Sequence, residues 1–172
     1  MPQASFLGRC LLVAAFPALL AAQKVNIEFD QTFEFSSLKT YKLLDGQINS
    51  KNSSLNNDIV RKNLEAGIRK RLEEKGLTPA TGDADVTVRY TLGSANRRQV
   101  ERYPAGWRGW GTRRVTVHYT EGTLTIDMRD PHRQELVWRA VAVNDNQDPN
   151  KIQAKLDSMI KKSFDKYPPK KK

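Results

Sequence analysis

Residues 84–92 read Ala84-Asp85-Val86-Thr87-Val88-Arg89-Tyr90-Thr91-Leu92, and their strict alternation decides the fold. Val86, Val88, Tyr90 and Leu92 fall on one side of an extended chain, with Thr87, Arg89 and Thr91 on the other. That is the period-2 pattern of a strand with one buried and one solvated face. Such a strand needs partner strands beside it and an apolar layer over one face only.

Candidate partners flank it. Downstream, Arg114 to Met128 also reads as extended, but its apolar phase moves from Val115, Val117 and Tyr119 to Leu124, Ile126 and Met128, which predicts a bulge or bend at Glu121-Gly122. Asp130-Pro131-His132-Arg133 has turn chemistry, and Leu136, Trp138, Ala140 and Ala142 resume the alternation, so a β-hairpin is expected. Upstream, Val25, Ile27 and Phe29 alternate with Asn26, Glu28 and Asp30, and Lys39 to Leu44 is extended again, as two short strands or one with a break.

The covering layer is helical. Val60, Leu64, Ile68 and Leu72 recur at helical spacing after a polar linker from Gly46 to Asn57, which predicts a helix over 57–75 with Asn57 or Asp58 as cap and Gly76 as terminator. Thr78 to Gly82 is a turn. Ile152, Leu156, Met159, Ile160 and Phe164 form the stripe of a second helix, with Asp148 as cap, Pro149 at its first position and Pro168 beyond its end. The order predicts an α/β (α+β) two-layer sandwich, a mainly antiparallel sheet of about 4–5 strands with two helices packed on one face.

A chain of 172 residues has room for one such domain. Residues 1–22 stand apart, with Arg9 as their only charge and an apolar run from Cys10 to Ala22. As a helix at ~1.5 Å per residue that run spans about 20 Å, short of the roughly 30 Å hydrocarbon core, and Pro17 interrupts it. It therefore reads as a signal peptide cleaved near Ala22, which places residues 23–172 in the periplasm or cell envelope as a single domain with no transmembrane helix. Leu7, Gly8 and Arg9 precede Cys10 and the apolar run follows it, the wrong order for a lipobox, which argues against a lipid anchor. Cleavage removes the single cysteine and with it disulfides, thiolate metal sites and cysteine nucleophiles.

The formal net charge is +10, and +9 once Arg9 is removed, a balance that attracts polyanions. Much of it lies in a long loop expected over 95–113, with Arg97, Arg98, Arg102, Trp107, Arg108, Trp110 and Arg113, and Arg114 at its end. Guanidinium groups pair with phosphate, and indole rings settle at membrane interfaces or stack on bases and sugars, so these residues form the candidate binding set. The polar face of the sheet adds Arg89, His118 and Arg139. The lysine tail, 170–172, reads as a solvated end.

Several separated stretches recur in one bacterial family: Phe35-Ser36-Ser37-Leu38-Lys39-Thr40-Tyr41, Asp83-Ala84-Asp85-Val86, Glu121-Gly122-Thr123-Leu124-Thr125-Ile126-Asp127, Leu136-Val137-Trp138-Arg139 and Tyr167-Pro168-Pro169. On these the chain resembles domain-of-unknown-function family 4136 over nearly all of its mature length. The resemblance implies an envelope location, often as a lipoprotein, and no assigned chemistry.

Catalytic and metal patterns are weak. Asp127, Asp130 and His132 are ligand types for a divalent ion but sit in a turn that has its own use for Asp and Pro. Asp83 and Asp85 fall short of the six to eight oxygens that calcium takes. No nucleophile elbow, phosphate-cradling loop or dinucleotide fingerprint occurs. The sequence thus points to a non-enzymatic envelope domain, without metal or cofactor, that binds an anionic envelope lipid or glycan or another envelope protein. A single-stranded nucleic-acid binder is the second reading, and a hydrolase or metal protein using Asp127 and His132 the third.

Overall fold

The computed structural model describes residues 24–104, 112–146 and 149–170, with side chains described for 24–93, 122–144 and 150–170. The elements run β1 (Lys24–Phe29), a 3-10 turn (Phe35–Ser37), β2 (Thr40–Leu43), β3 (Gln47–Asn49), α1 (Asp58–Glu74), β4 (Thr78–Pro79), β5 (Val86–Pro104), β6 (Thr112–Arg129), β7 (Leu136–Asn146) and α2 (Pro149–Phe164). Their strands form one sheet in the order β1-β7-β6-β5-β2-β4, with β3 also paired to β5.

The α+β character holds, but the sheet is mixed and has seven strands, where a mainly antiparallel sheet of four or five was expected. Strands β1, β7, β6 and β5 are antiparallel neighbours, whereas β2 and β3 run parallel to β5, and β4 parallel to β2. The parallel side follows from α1, which carries the chain across the sheet between β3 and β4 so that β5 re-enters in the direction of β2. Strands β3 and β4, of three and two residues, are too short to show a period, and they lie inside the expected linker and turn.

The expected loop over 95–113 is corrected as well. Strand β5 continues to Pro104 and β6 begins at Thr112, in unbroken register from Thr87↔Arg129 to Pro104↔Thr112. That register also removes the bulge expected at Glu121-Gly122; the irregularity lies at Met128/Arg129, in the pairing with β7.

Both helices cover the face that carries Val86, Val88, Tyr90, Leu92, Leu124, Ile126, Met128, Trp138, Ala140 and Ala142, all of them fully buried. Helix α1 contributes Val60, Leu64, Ile68 and Leu72, each 0% exposed and each worth about 1.5–3 kcal/mol of burial. Asn57 accepts a hydrogen bond from the Val60 amide at 2.9 Å, as a cap should. At the other end Leu77 donates to Leu72 O and Gly76 to Glu73 O, with Gly76 at φ +85°, the paired bonds of a left-handed helix stop. Helix α2 packs on β6 and β7 through Ile152, Leu156, Met159, Ile160 and Phe164; its expected cap, Asp148, lies outside the described residues. Among the described residues no helix is long and apolar enough to cross a membrane.

Candidate functional site

The uncovered face of the sheet is built from the residues that alternate with the core. Thr87, Arg89 and Thr91 on β5 stand beside Thr123, Thr125 and Asp127 on β6, then Arg139, Val141 and Val143 on β7. The register aligns Glu28, Arg139, Asp127 and Arg89 in one row across four strands, with charges that alternate in sign. Arg139 makes a fork-to-fork pair with Asp127, Nε to Oδ1 and Nη2 to Oδ2, both at 2.7 Å. That hydrogen-bonded carboxylate holds the Arg139 guanidinium above its usual pKa against the opposing effect of burial. Arg89 flanks Asp127 on the other side, is exposed, and has no hydrogen bond or ion pair among the described residues.

Beside this row the sheet face is recessed. A concavity of about 630 Å³ lies between Leu44 of the β2–β3 connection with Gln47 at the start of β3, and the β6–β7 turn, which supplies Asp130, Pro131 and Gln134. Its floor carries Thr87, Arg89, Thr91, Asp127 and Arg129. The β2–β3 wall is set by Gly46, whose backbone lies directly on the Tyr90 ring: an added Cβ would come within 2.1 Å of Cζ. Arg61 Nη1 donates to Gly46 O at 2.8 Å and fixes that wall to α1.

The carboxylates suggested by sequence are occupied locally. Asp130 Oδ1 accepts from the amides of His132 and Arg133, and Oδ2 from Arg133 Nε, which together hold its pKa down, the Arg133 side chain most strongly. Asp85 Oδ2 accepts from the amides of Lys39 and Thr40 and from Thr40 Oγ1, and is lowered chiefly by the Lys39 amide. His132 is exposed at the turn. Among the described residues no three His, Cys, Asp or Glu side chains come together as a metal site would require.

The sequence-derived binding set divides. Arg89 and Arg139 lie on the open face, on either side of Asp127. Arg97, Arg98, Arg102, Arg113, Arg114 and His118 are strand residues of a two-stranded ribbon, in the pairs Arg97↔Tyr119, Arg98↔His118, Arg102↔Arg114 and Tyr103↔Arg113. The ribbon is two-stranded because β3 stops pairing at Asn49↔Gly93 and β7 at Thr120↔Asn146. Trp107, Arg108 and Trp110 lie outside the described residues. Arg129, Gln47 and Gln134 are the site residues that sequence reasoning passed over. For Arg129 the signal was present, since Thr125, Asp127 and Arg129 continue one alternation.

The recurring motifs now have physical roles. Phe35, Leu38 and Tyr41 are buried, Thr40 is tied to Asp85, Leu124 and Ile126 are core, and Asp127 joins Arg139 of the Leu136-Val137-Trp138-Arg139 stretch. Tyr167 packs edge-on against Trp138 at 5.6 Å and Phe35 at 5.9 Å. A family model, Domain of unknown function (DUF4136), matches residues 25–169. The chain belongs to that family. No curated protein sequence matches this DUF4136 chain. Among solved structures, it is similar to a PDZ domain protein from Parabacteroides distasonis, with TM-score 0.57 and 13% identity over 86% of this chain and 36% of that one. The DUF4136 chain thus spans about a third of that protein's length. It is also similar to a PelC dodecamer from Paraburkholderia phytofirmans, with TM-score 0.50 and 12% identity over 83% of this chain and 95% of that one. At these identities the likeness is one of fold.

Proposed function

We propose that this DUF4136 domain is a non-catalytic, exported binding module that docks its β5–β6 ribbon on an anionic surface of the cell envelope. One observation carries the reading: the ribbon extends past the last pairs of β3 and β7, and residues 95–119 hold six arginines against one glutamate. An isolated two-stranded ribbon is marginal in water, so a surface that neutralises its arginines would also stabilise it. Each arginine held near an anionic leaflet is worth about 1 kcal/mol, and Trp107 and Trp110, which lie in sequence between the two strands, bring rings suited to the headgroup region. The apolar leader over residues 1–22 supports export, and the occupation of Asp127, Asp130 and Asp85 by local partners supports a non-catalytic role.

The test is co-sedimentation of the chain from Gln23 onward with anionic and neutral vesicles across a salt series, beside a variant with Trp107, Arg108 and Trp110 changed to alanine. The expected result is binding to anionic vesicles alone, weakened by salt and reduced about tenfold or more in the variant. Failure of both proteins to bind anionic vesicles would overturn the proposal and turn attention to a protein partner. Tighter binding to a single-stranded oligonucleotide than to vesicles would replace it with the nucleic-acid reading.

A further inference from the structure

The concavity on the open face is distinct from the ribbon, and its chemistry is more selective. Two guanidinium groups reach it without a carboxylate of their own. Arg89 has no partner among the described residues, and Arg129 gives one N–H, from Nη1, to Gln134 O at 3.2 Å. The register sets Thr87 opposite Arg129 and Arg89 opposite Asp127, so Arg89 and Arg129 are diagonal neighbours on one face, about 7–8 Å apart at Cα in a regular ladder. That spacing lets both side chains converge on one anion. The two carboxylates in the lining already have guanidinium partners, Asp127 in Arg139 and Asp130 in Arg133, so neither is ion-paired to Arg89 or Arg129. Lys42 on β2, exposed and paired in register with Thr87 of β5, is a further cation on the same face.

Arg129 is tied to the β6–β7 turn by backbone geometry that carries a cost. Gln134 sits at φ 57°, a left-handed conformation worth about 1–2 kcal/mol of strain for a residue with a Cβ, and its carbonyl is the acceptor for Arg129. Donor count then selects the ligand. One arginine fork already engages both oxygens of a carboxylate, as Arg139 does with Asp127. Here the lining includes two arginines, Thr91, Gln47 and Gln134, residues that together carry enough donors for the three terminal oxygens of a phosphate monoester. A volume of about 630 Å³ also leaves room for the polar group that carries the phosphate.

We infer that this concavity binds a soluble phosphate monoester of sugar-phosphate size, with Arg89 and Arg129 as its anion clamp. The site stands apart from the ribbon, and either can fail without the other.

The test is an amide chemical-shift titration of the chain from Gln23 onward with inorganic phosphate and with a hexose phosphate, at ionic strength held constant with chloride. A parallel arm uses vesicles that contain phosphatidic acid. The expected result is saturable shifts at Thr87, Arg89, Thr91 and Gln134 with the hexose phosphate. Arg89→Gln and Arg129→Gln should each weaken this binding about tenfold, and the Trp107, Arg108 and Trp110 alanine variant should leave it unchanged. Both arginines are exposed, so the variant spectra should otherwise match the parent; if Arg129→Gln disturbs the turn, Arg89→Gln alone decides. Shifts that do not saturate, that fall outside the concavity, or that persist in Arg89→Gln would overturn the inference. So would a response to phosphatidic acid vesicles without one to hexose phosphate.

Discussion

Replacing Gly46 by alanine tests the packing that positions the wall of the concavity. The new Cβ would lie 2.1, 2.2 and 2.4 Å from three ring atoms of Tyr90, where real Cβ contacts essentially never fall below 3.0 Å. Tyr90 is 0% exposed and faces the helical layer, so the ring has nowhere to retreat and the β2–β3 connection must lift instead. Overpacking of this kind costs about 1–3 kcal/mol. The loss of backbone freedom in the unfolded chain returns about 0.4–1 kcal/mol, and since Gly46 is outside the left-handed region no dihedral penalty is added. The net is a loss centred on about 1.3 kcal/mol, a fall in Tm of about 3–5 °C for a chain of this size. Urea and thermal unfolding would measure it. Tyr90→Ala alone should cost about 3–5 kcal/mol as a cavity, and the double variant should lose less than the two together by about 0.5–3 kcal/mol, because the methyl enters the space that the ring vacates. A Gly46→Ala variant within about 0.5 kcal/mol of the parent, or strict additivity in the cycle, would refute the contact.

Two further outcomes concern pH. Asp85 is held below its ordinary 3.8 by the Lys39 and Thr40 donors, so its contribution is complete above that value and disappears as pH falls through the folded pKa. Melting temperatures of Asp85→Asn and parent should therefore differ at neutral pH and converge in acid, and a constant gap down to the lowest pH would count against the three-donor arrangement. Tyr167 behaves in the opposite sense, since burial raises it from 10.0 to about 12, and its contribution is full below 10 and is lost as pH rises through the folded value. Tyr167→Phe keeps the ring contacts with Trp138 and Phe35, so it should melt like the parent near pH 8 and above it in alkali. Parallel alkaline curves would show that some other group sets that limit.

What sequence made legible follows from which elements bury one face. Residues Val86–Leu92, Leu124–Met128 and Trp138–Ala142 lie under a helical layer, and their alternation was plain. Helices α1 and α2 were equally readable from their apolar stripes, and the cap at Asn57 and stop at Gly76 from local chemistry. Strand β3 has a single buried side chain, Ile48, and β4 none, so neither could register as a period. The ribbon escaped because only backbone pairing of two strands defines it, and the arginine-rich text of 95–104 shows no apolar alternation. Among the site residues, Arg89 and Arg139 followed from alternation, but the walls of the concavity come from two connections that converge only in three dimensions.

Strand β1 opens the described chain yet pairs with β7, Lys24 with Val143 and Phe29 with Trp138, almost a full domain away in sequence. Such a closure waits for everything between, whereas the β5–β6–β7 meander can zip locally. Until β1 docks, β7 presents a bare ladder edge from Trp138 to Val143, in a protein whose sheet is otherwise nearly assembled. That interval is when a second molecule could pair there first, so the order of folding opens at β7 a pairing edge that the docked β1 later covers.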